Sequence, residues 1–235
     1  MQPAADRERL WQEVTRRAAR DGAGLPAAVC ATCVGGLADG AALSMRSAGR
    51  TQELLATSGP WASKLEEAQY ALGEGPGVLA YTSDEPVLIT DITAEDGRWP
   101  MFTDAARAEG VAAVFAFPLH SGAIKLGTLD LYRRAPGRLT SDALADATVL
   151  ADLAIAVVLR QALNDEAAGL DPAEQGGGAY EDVHIATGMV AVQLRISLVD
   201  ASMRLRAHAF GEGRSLLEVS RDVIARRITL DRWAE

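Results

Sequence analysis

Cysteine is scarce in this chain: Cys30 and Cys33 are the only two in 235 residues. Two are too few for a disulfide framework, which agrees with a reducing compartment. No stretch approaches the roughly 18 apolar residues that a membrane span needs, and Met1-Gln2-Pro3-Ala4-Ala5-Asp6-Arg7 lacks the basic-then-apolar layout of a secretory signal. A cytoplasmic protein without a membrane partner is therefore expected. Basic charge is also short, with 23 Lys and Arg against 32 Asp and Glu and a formal net charge of −9. That balance excludes a protein that coats nucleic acid nonspecifically, because phosphate-driven binding needs a net basic surface. No Ser/His/Asp, Cys/His or paired-carboxylate arrangement emerges, so catalysis has nothing to rest on and a non-enzyme is expected.

What is present describes a folded protein, since a 49% hydrophobic share beside 23% charged residues falls in the ordinary globular range. The charge is unevenly spread. From Glu181 to Glu235 eight Arg face eight acids, so the first 180 residues carry the whole deficit, with 15 basic against 24 acidic residues. An acidic body with a relatively basic tail suggests two functions. The stretch Leu170 to Tyr180 holds a proline and three consecutive glycines, the composition of a linker.

Before that stretch the pattern is mixed. Leu10 to Ala19 and Pro26 to Leu37 have helical spacing, and strands are predicted at Ala41 to Arg46, Leu54 to Thr57, Pro86 to Thr90, Ala112 to Leu119 and Lys125 to Tyr132. In the last of these Leu126, Thr128, Asp130 and Tyr132 alternate with Gly127, Leu129 and Leu131, which implies an antiparallel sheet with one face solvated or covered by helices. Ser141 to Leu163 keeps a helical period through Ala147, Leu150, Ala151, Ala154, Val157 and Val158. After the linker everything reads as helix. Val183, Ala186, Val190 and Leu194 share one face. Ser197 and Ser215 then open two further helices as capping boxes, with Leu198, Ala201, Leu205 and Ala209 inward in the first and Leu216, Val219, Val223 and Ile224 inward in the second. Three helices of this size make a marginal core.

The run Ala186-Thr187-Gly188-Met189-Val190, then Gln193-Leu194, Ala201, Leu205-Arg206, His208-Ala209, Arg214-Ser215-Leu216 and Val219 to Ile224 resembles an ANTAR domain over essentially its whole length. It departs at Ser220, where alanine is usual, and at Arg195, where a glycine often follows the first helix. The earlier run Gln69-Tyr70-Ala71-Leu72-Gly73-Glu74-Gly75-Pro76, with Pro86-Val87, Asp91, Arg98-Trp99-Pro100, Gly110-Val111, Phe117-Pro118-Leu119 and Leu126 to Tyr132, resembles the GAF domains that precede ANTAR modules. The resemblance implies an α+β GAF domain over 8–168, an antiparallel sheet flanked by helices. A linker over 169–180 and an all-α three-helix ANTAR bundle over 181–235 then follow. It further implies a homodimeric, signal-responsive regulator that holds two adjacent hairpins with six-base loops in a nascent transcript and so prevents termination.

Several residues carry the chemistry of that reading. Thr187, Gly188, Arg204, Arg206, Arg214 and Arg221 are assigned to RNA, because a guanidinium both forks onto phosphate and stacks on an unpaired base. The alternative is a solvated helix face, its arginines paired with Asp200, Glu218 or Asp222. Arg226 and Arg227 stand at a helix C-terminus, where cations are favoured in any case. A mid-helix glycine at 188 costs about 1 kcal/mol against alanine, which points to close approach by RNA or a neighbouring helix. Asp91, Arg98, Trp99, Phe115 and Phe117 are assigned to the wall of the sensor pocket, with an Arg98–Asp91 ion pair fixing the loop as the alternative. Gly73-Glu74-Gly75-Pro76-Gly77 reads as a turn closing over that pocket, not a phosphate loop, since Pro76 removes a backbone donor. Cys30 and Cys33 have redox-motif spacing but lie inside an apolar helix, which favours buried structural thiols. A GAF-type redox enzyme or redox sensor and a DNA-binding transcription factor are the rival functions. The signal stays open between a small-molecule ligand, a haem, phosphorylation, a redox change and a partner protein.

Overall fold

The computed structural model describes residues 2–46, 52–95, 97–167 and 180–230. The chain divides into two compact units, Met1–Gln175 and Gly176–Glu235. The residues read as linker lie outside the described residues except Tyr180, which is the N-cap of a helix.

The first unit opens with helices α1 (Gln2–Asp21) and α2 (Gly24–Val34). Strands β1 (Gly40–Arg46) and β2 (Gln52–Thr57), helices α3 (Pro60–Leu72) and α4 (Pro76–Ser83), the short strand β3 (Val87–Ile89) and a 3-10 turn (Ile92–Glu95) follow. Helix α5 (Pro100–Ala108), strands β4 (Ala113–Ser121) and β5 (Ile124–Arg133) and the long helix α6 (Ser141–Ala167) complete it. The five strands form one sheet in the order β2-β1-β5-β4-β3, every neighbouring pair antiparallel. The two-residue period of a strand splits its side chains between two cores. Leu43, Phe115, Phe117, Leu129 and Leu131 pack with α1, α2 and α6, through Leu10, Val14, Val29, Leu150, Ala154 and Val158 among others. Ala42, Val114, Ala116 and Tyr132 face Leu65 of α3, Ala80 of α4 and Phe102 of α5. Truncating a side chain as buried as Leu131 or Leu150 costs about 2–5 kcal/mol.

The helix predicted over Pro26 to Leu37 ends at Val34, where Gly35 becomes its C-cap, and the strand predicted from Pro86 begins one residue later because proline has no N–H for the ladder. Helices α3, α4 and α5 lack a clean apolar period in the sequence. Each starts with proline at its first or second position, α4 has only 8 residues, and α3 buries Glu66 and Gln69 on its inner face.

In the second unit α7 (Glu181–Leu194), α8 (Leu198–Gly211) and α9 (Leu216–Ile224) bury Val183, Ala186, Val190, Leu194, Ala201, Leu205, Ala209, Leu216, Val219 and Val223. Leu198, read as inward, is exposed: it is the first helical residue of α8, and that turn overhangs the core. Ile224 is only half-buried. Both helix starts are capped, although only the second forms the reciprocal box expected of both. Ser197 Oγ accepts the N–H of Asp200 at 3.1 Å, and Ser215 and Glu218 form a full reciprocal box at 3.1 and 3.2 Å. Arg195 ends α7 in the left-handed conformation, φ 55° and ψ 48°. No single helix among the described residues is long and apolar enough to cross a membrane.

Candidate functional site

The polar face of β5 is not solvated. Thr128, Asp130 and Tyr132 alternate with the apolar Leu129 and Leu131, and all three lie buried under α3. Helical spacing places Glu66 and Gln69 three residues apart on the facing side of α3, and β1 and β2 add Ser44, Arg46 and Gln52. Glu66 Oε1 accepts from the Tyr132 hydroxyl at 2.8 Å and from Gln69 Nε2 at 2.9 Å; its Oε2 accepts from Gln52 Nε2 at 2.6 Å. Arg46 Nη2 stands 3.9 Å from Glu66 Oε2, an ion pair without a hydrogen bond. Thr128 bridges the far end, donating to Asp130 Oδ2 at 2.9 Å and lying 3.1 Å from the Ser44 hydroxyl.

Two carboxyl groups so enclosed cannot both hold full charge cheaply. Burial, then the neighbouring charge of Glu66 and a hydrogen bond to it, pushes the Asp130 carboxyl well above the usual range. Burial likewise raises the Tyr132 phenol, which stays a donor. Arg46 then balances Glu66. Among the described residues Arg46 Nε and Nη2, Gln52 Oε1 and Asp130 Oδ1 have no hydrogen-bond partner of the ordinary donor–acceptor kind. The cluster therefore combines donors and acceptors within a buried wall.

The glycine loop is the lid of this cluster. Gly75, at φ 135°, leaves no room for a Cβ, which would come within 2.5 Å of Gln69 Oε1. A Cβ on Gly77 would meet the Asp130 carboxylate at 2.6 Å. The Gly77 N–H donates to Gln69 Oε1 at 2.7 Å, so Gln69 ties the loop to Glu66 and Tyr132 at once. Glu74 reaches the other way and accepts the N–H groups of Met101 and Phe102 at 2.9 and 3.0 Å, capping α5.

The five residues assigned to the sensor wall do not share one face. Trp99 joins the apolar cluster on the α3–α5 side, whereas Phe115 and Phe117 point to the α1, α2 and α6 side, because they alternate with Val114 and Ala116 along β4. Asp91 Oδ1 caps Thr93, accepting its N–H at 2.9 Å and its hydroxyl at 2.6 Å. Arg98 pairs with Glu95 at 3.5 Å, not with Asp91, and its guanidinium lies 4.7 Å from the Trp99 ring centre. Sequence reasoning noted Thr128, Asp130 and Tyr132 as one strand face but missed them as a site. Their partners Glu66 and Gln69 gave the available signal, an i, i+3 polar pair just before the glycine loop. Cys30 and Cys33 are fully buried free thiols; burial raises both, Cys33 to about 12.

In the second unit Thr187 and Gly188 are half-buried on α7, where the Thr187 hydroxyl donates to the Val183 carbonyl at 2.6 Å. Nothing lies within 4 Å of a Cβ built on Gly188, so no helix of this chain requires a glycine there. Arg204 and Arg206 are half-buried on α8. Arg214 is held by Asp222 at 2.5 Å and Glu212 at 3.4 Å, and Arg221 joins α9 to α7 through Asp182 at 2.9 Å. For Arg214 and Arg221 the paired-face alternative describes the geometry: the hydrogen bonds of Arg214, then Arg227, hold the Asp222 carboxyl below the usual range. The arginines are thus divided between α8 and the α9 end and do not form one cluster of free cations.

An antiparallel five-stranded sheet with helices on both faces, and a lidded polar cluster on one of them, defines a small α+β domain. A model of the GAF domain family matches residues 6–176, and the chain belongs to that family. The GAF domain from a Coxiella burnetii phosphoenolpyruvate-protein phosphotransferase is similar in structure at 19% identity and a TM-score of 0.52, covering 72% of this chain and 97% of that one. The GAF domain from the Acinetobacter phosphoenolpyruvate-protein phosphotransferase gives 13% identity and a TM-score of 0.50 over 72% and 98% of the two chains. At such identities the likeness is one of fold. No curated protein sequence matches the chain.

Proposed function

We propose that the chain is a cytoplasmic, non-catalytic, homodimeric regulator whose GAF unit senses a signal and whose C-terminal unit is an ANTAR module. The module binds two adjacent six-base-loop hairpins in nascent RNA and so favours read-through of a terminator. The observation that carries the reading is the α7–α8 turn. Arg195 there adopts φ 55°, the conformation glycine takes most easily, at the position where the resemblance leads one to look for glycine. The serine caps at Ser197 and Ser215 support it, as does the small inner face of Ala186, Ala201 and Ala209.

On the sensing side the Glu66, Asp130 and Arg46 cluster is where a signal acts in this reading, since any polar group entering it exchanges hydrogen bonds with β1, β5, α3 and the lid together. Coupling runs through a change in the pairing of two such chains. Binding of the full-length protein to a synthetic dual-hairpin RNA, in competition with duplex DNA at matched salt, tests the proposal. Preference for the RNA is the expected result; equal or better binding of duplex DNA rejects the proposal.

A further inference from the structure

The second unit carries a shallow groove of about 520 Å³ lined by Gly188, Met189, Val192, Gln193, Val223, Arg226, Ile228 and Thr229. Its walls come from α7 and from the segment after α9, which Gln193 holds by donating to the Leu230 carbonyl at 3.2 Å. Met189, Val192, Val223 and Ile228 give it an apolar floor, and Val192 is exposed at its rim. The Arg226 side chain stands at this groove without a carboxylate partner among the described residues, whereas its neighbour Arg227 is paired to Asp222 at 2.6 Å. Arg226 is also held at φ 55°, where glycine or asparagine is more stable. A long charged side chain therefore occupies a backbone position that favours a small one.

We propose that this groove seats one unstacked base of a hairpin loop, with Arg226 on its phosphate. The inference rests on the RNA-binding reading above and moves its contact surface from Arg214 and Arg221, which are engaged within the protein, to α7 and the end of α9. The volume falls within the roughly 300–1,000 Å³ typical of small-ligand sites. A base has an apolar face for the Met189, Val192 and Ile228 floor and polar edges for Gln193 and Thr229, and its backbone brings the negative charge that the Arg226 guanidinium attracts. Gly188 supplies the open approach, since no protein atom fills the place of its missing side chain.

Two substitutions test this without threatening the fold. Gly188→Leu places a good helix former where a Cβ meets nothing and fills the groove; Arg226→Asn removes the guanidinium and suits the left-handed backbone. Full-length wild-type protein and both variants are titrated with a synthetic RNA of two adjacent six-base-loop hairpins, and with the same RNA carrying abasic loops. Each variant is expected to lose about tenfold or more in affinity for the intact RNA. Arg226→Asn should also lower the salt slope by about one. Gly188→Leu should match wild type on the abasic RNA. If wild type binds the intact RNA and both variants bind it equally well, the groove is not the base site, though RNA binding stands. If wild type ignores every RNA, the underlying reading fails and the groove proposal with it. Loss of self-association in sedimentation, with RNA affinity intact, would assign the groove to a second copy of the chain and overturn the proposal.

Discussion

The carboxylate of Asp130 occupies the space that a side chain at residue 77 would need, 2.6 Å from the place of its Cβ. The lid loop and the central strand are thereby fitted to each other at atomic contact. Gly77→Ala must push either the start of α4 or the buried carboxyl aside, and overpacking of this kind costs about 1–3 kcal/mol. Chemical denaturation should show that loss in the midpoint. An unchanged midpoint would mean the lid does not close on Asp130.

Asp130 also makes a pH prediction. Its carboxyl is raised in the folded protein, so folding takes up a proton, and the stability linked to it is fully present below the unfolded value of about 4 and is lost as pH rises through the folded value. Asp130→Asn cannot ionise and can still donate toward Glu66. Relative to wild type, the melting temperature of Asp130→Asn should therefore improve as pH rises above about 4. A difference that stays flat as pH rises would show that the Asp130 carboxyl is not raised in the folded protein.

Much of the first unit was legible because burial and periodicity agree there. The apolar stripe of α6 and the alternation of β4 and β5 identify their elements without help from tertiary contacts. Helices α3 to α5 were not legible, since Glu66 and Gln69 break the apolar pattern of α3 by being buried as polar groups and α4 and α5 have only 8 and 9 residues. The buried polar cluster was hidden for the same reason: the Thr128, Asp130 and Tyr132 face reads equally as solvated or covered, and only the packing of α3 decides. Phe115 and Phe117 drew attention as large aromatics, yet their place in the strand alternation turns them to the opposite core. In the second unit the caps were readable, and so was Asp222 as a partner for an arginine, whereas the Arg221–Asp182 ion pair depends on how α7 and α9 pack.

The cap at Ser215 is a local determinant of α9. It accepts the Glu218 N–H at 3.1 Å and is bonded in return at 3.2 Å. Ser215→Ala should destabilise the second unit by about 0.5–2 kcal/mol. Hydrogen exchange of the α9 amides reads that loss directly, and unaltered protection would contradict the cap's role.

Cys30 and Cys33 should behave as inert core groups. Their thiols are buried and raised, Cys33 to about 12, and the thiolate is the reactive form. A thiol reagent at pH 8 should label neither residue in native protein and both after unfolding. Rapid labelling of the native protein would revive the redox reading.

The central claim is that this chain acts on folded RNA during transcription. Single-round transcription from a template whose dual six-base-loop hairpins overlap an intrinsic terminator, with and without the full-length protein, measures it most directly. The account predicts that the protein raises read-through on that template and not on one whose hairpin loops are replaced; termination unchanged on both templates would contradict it.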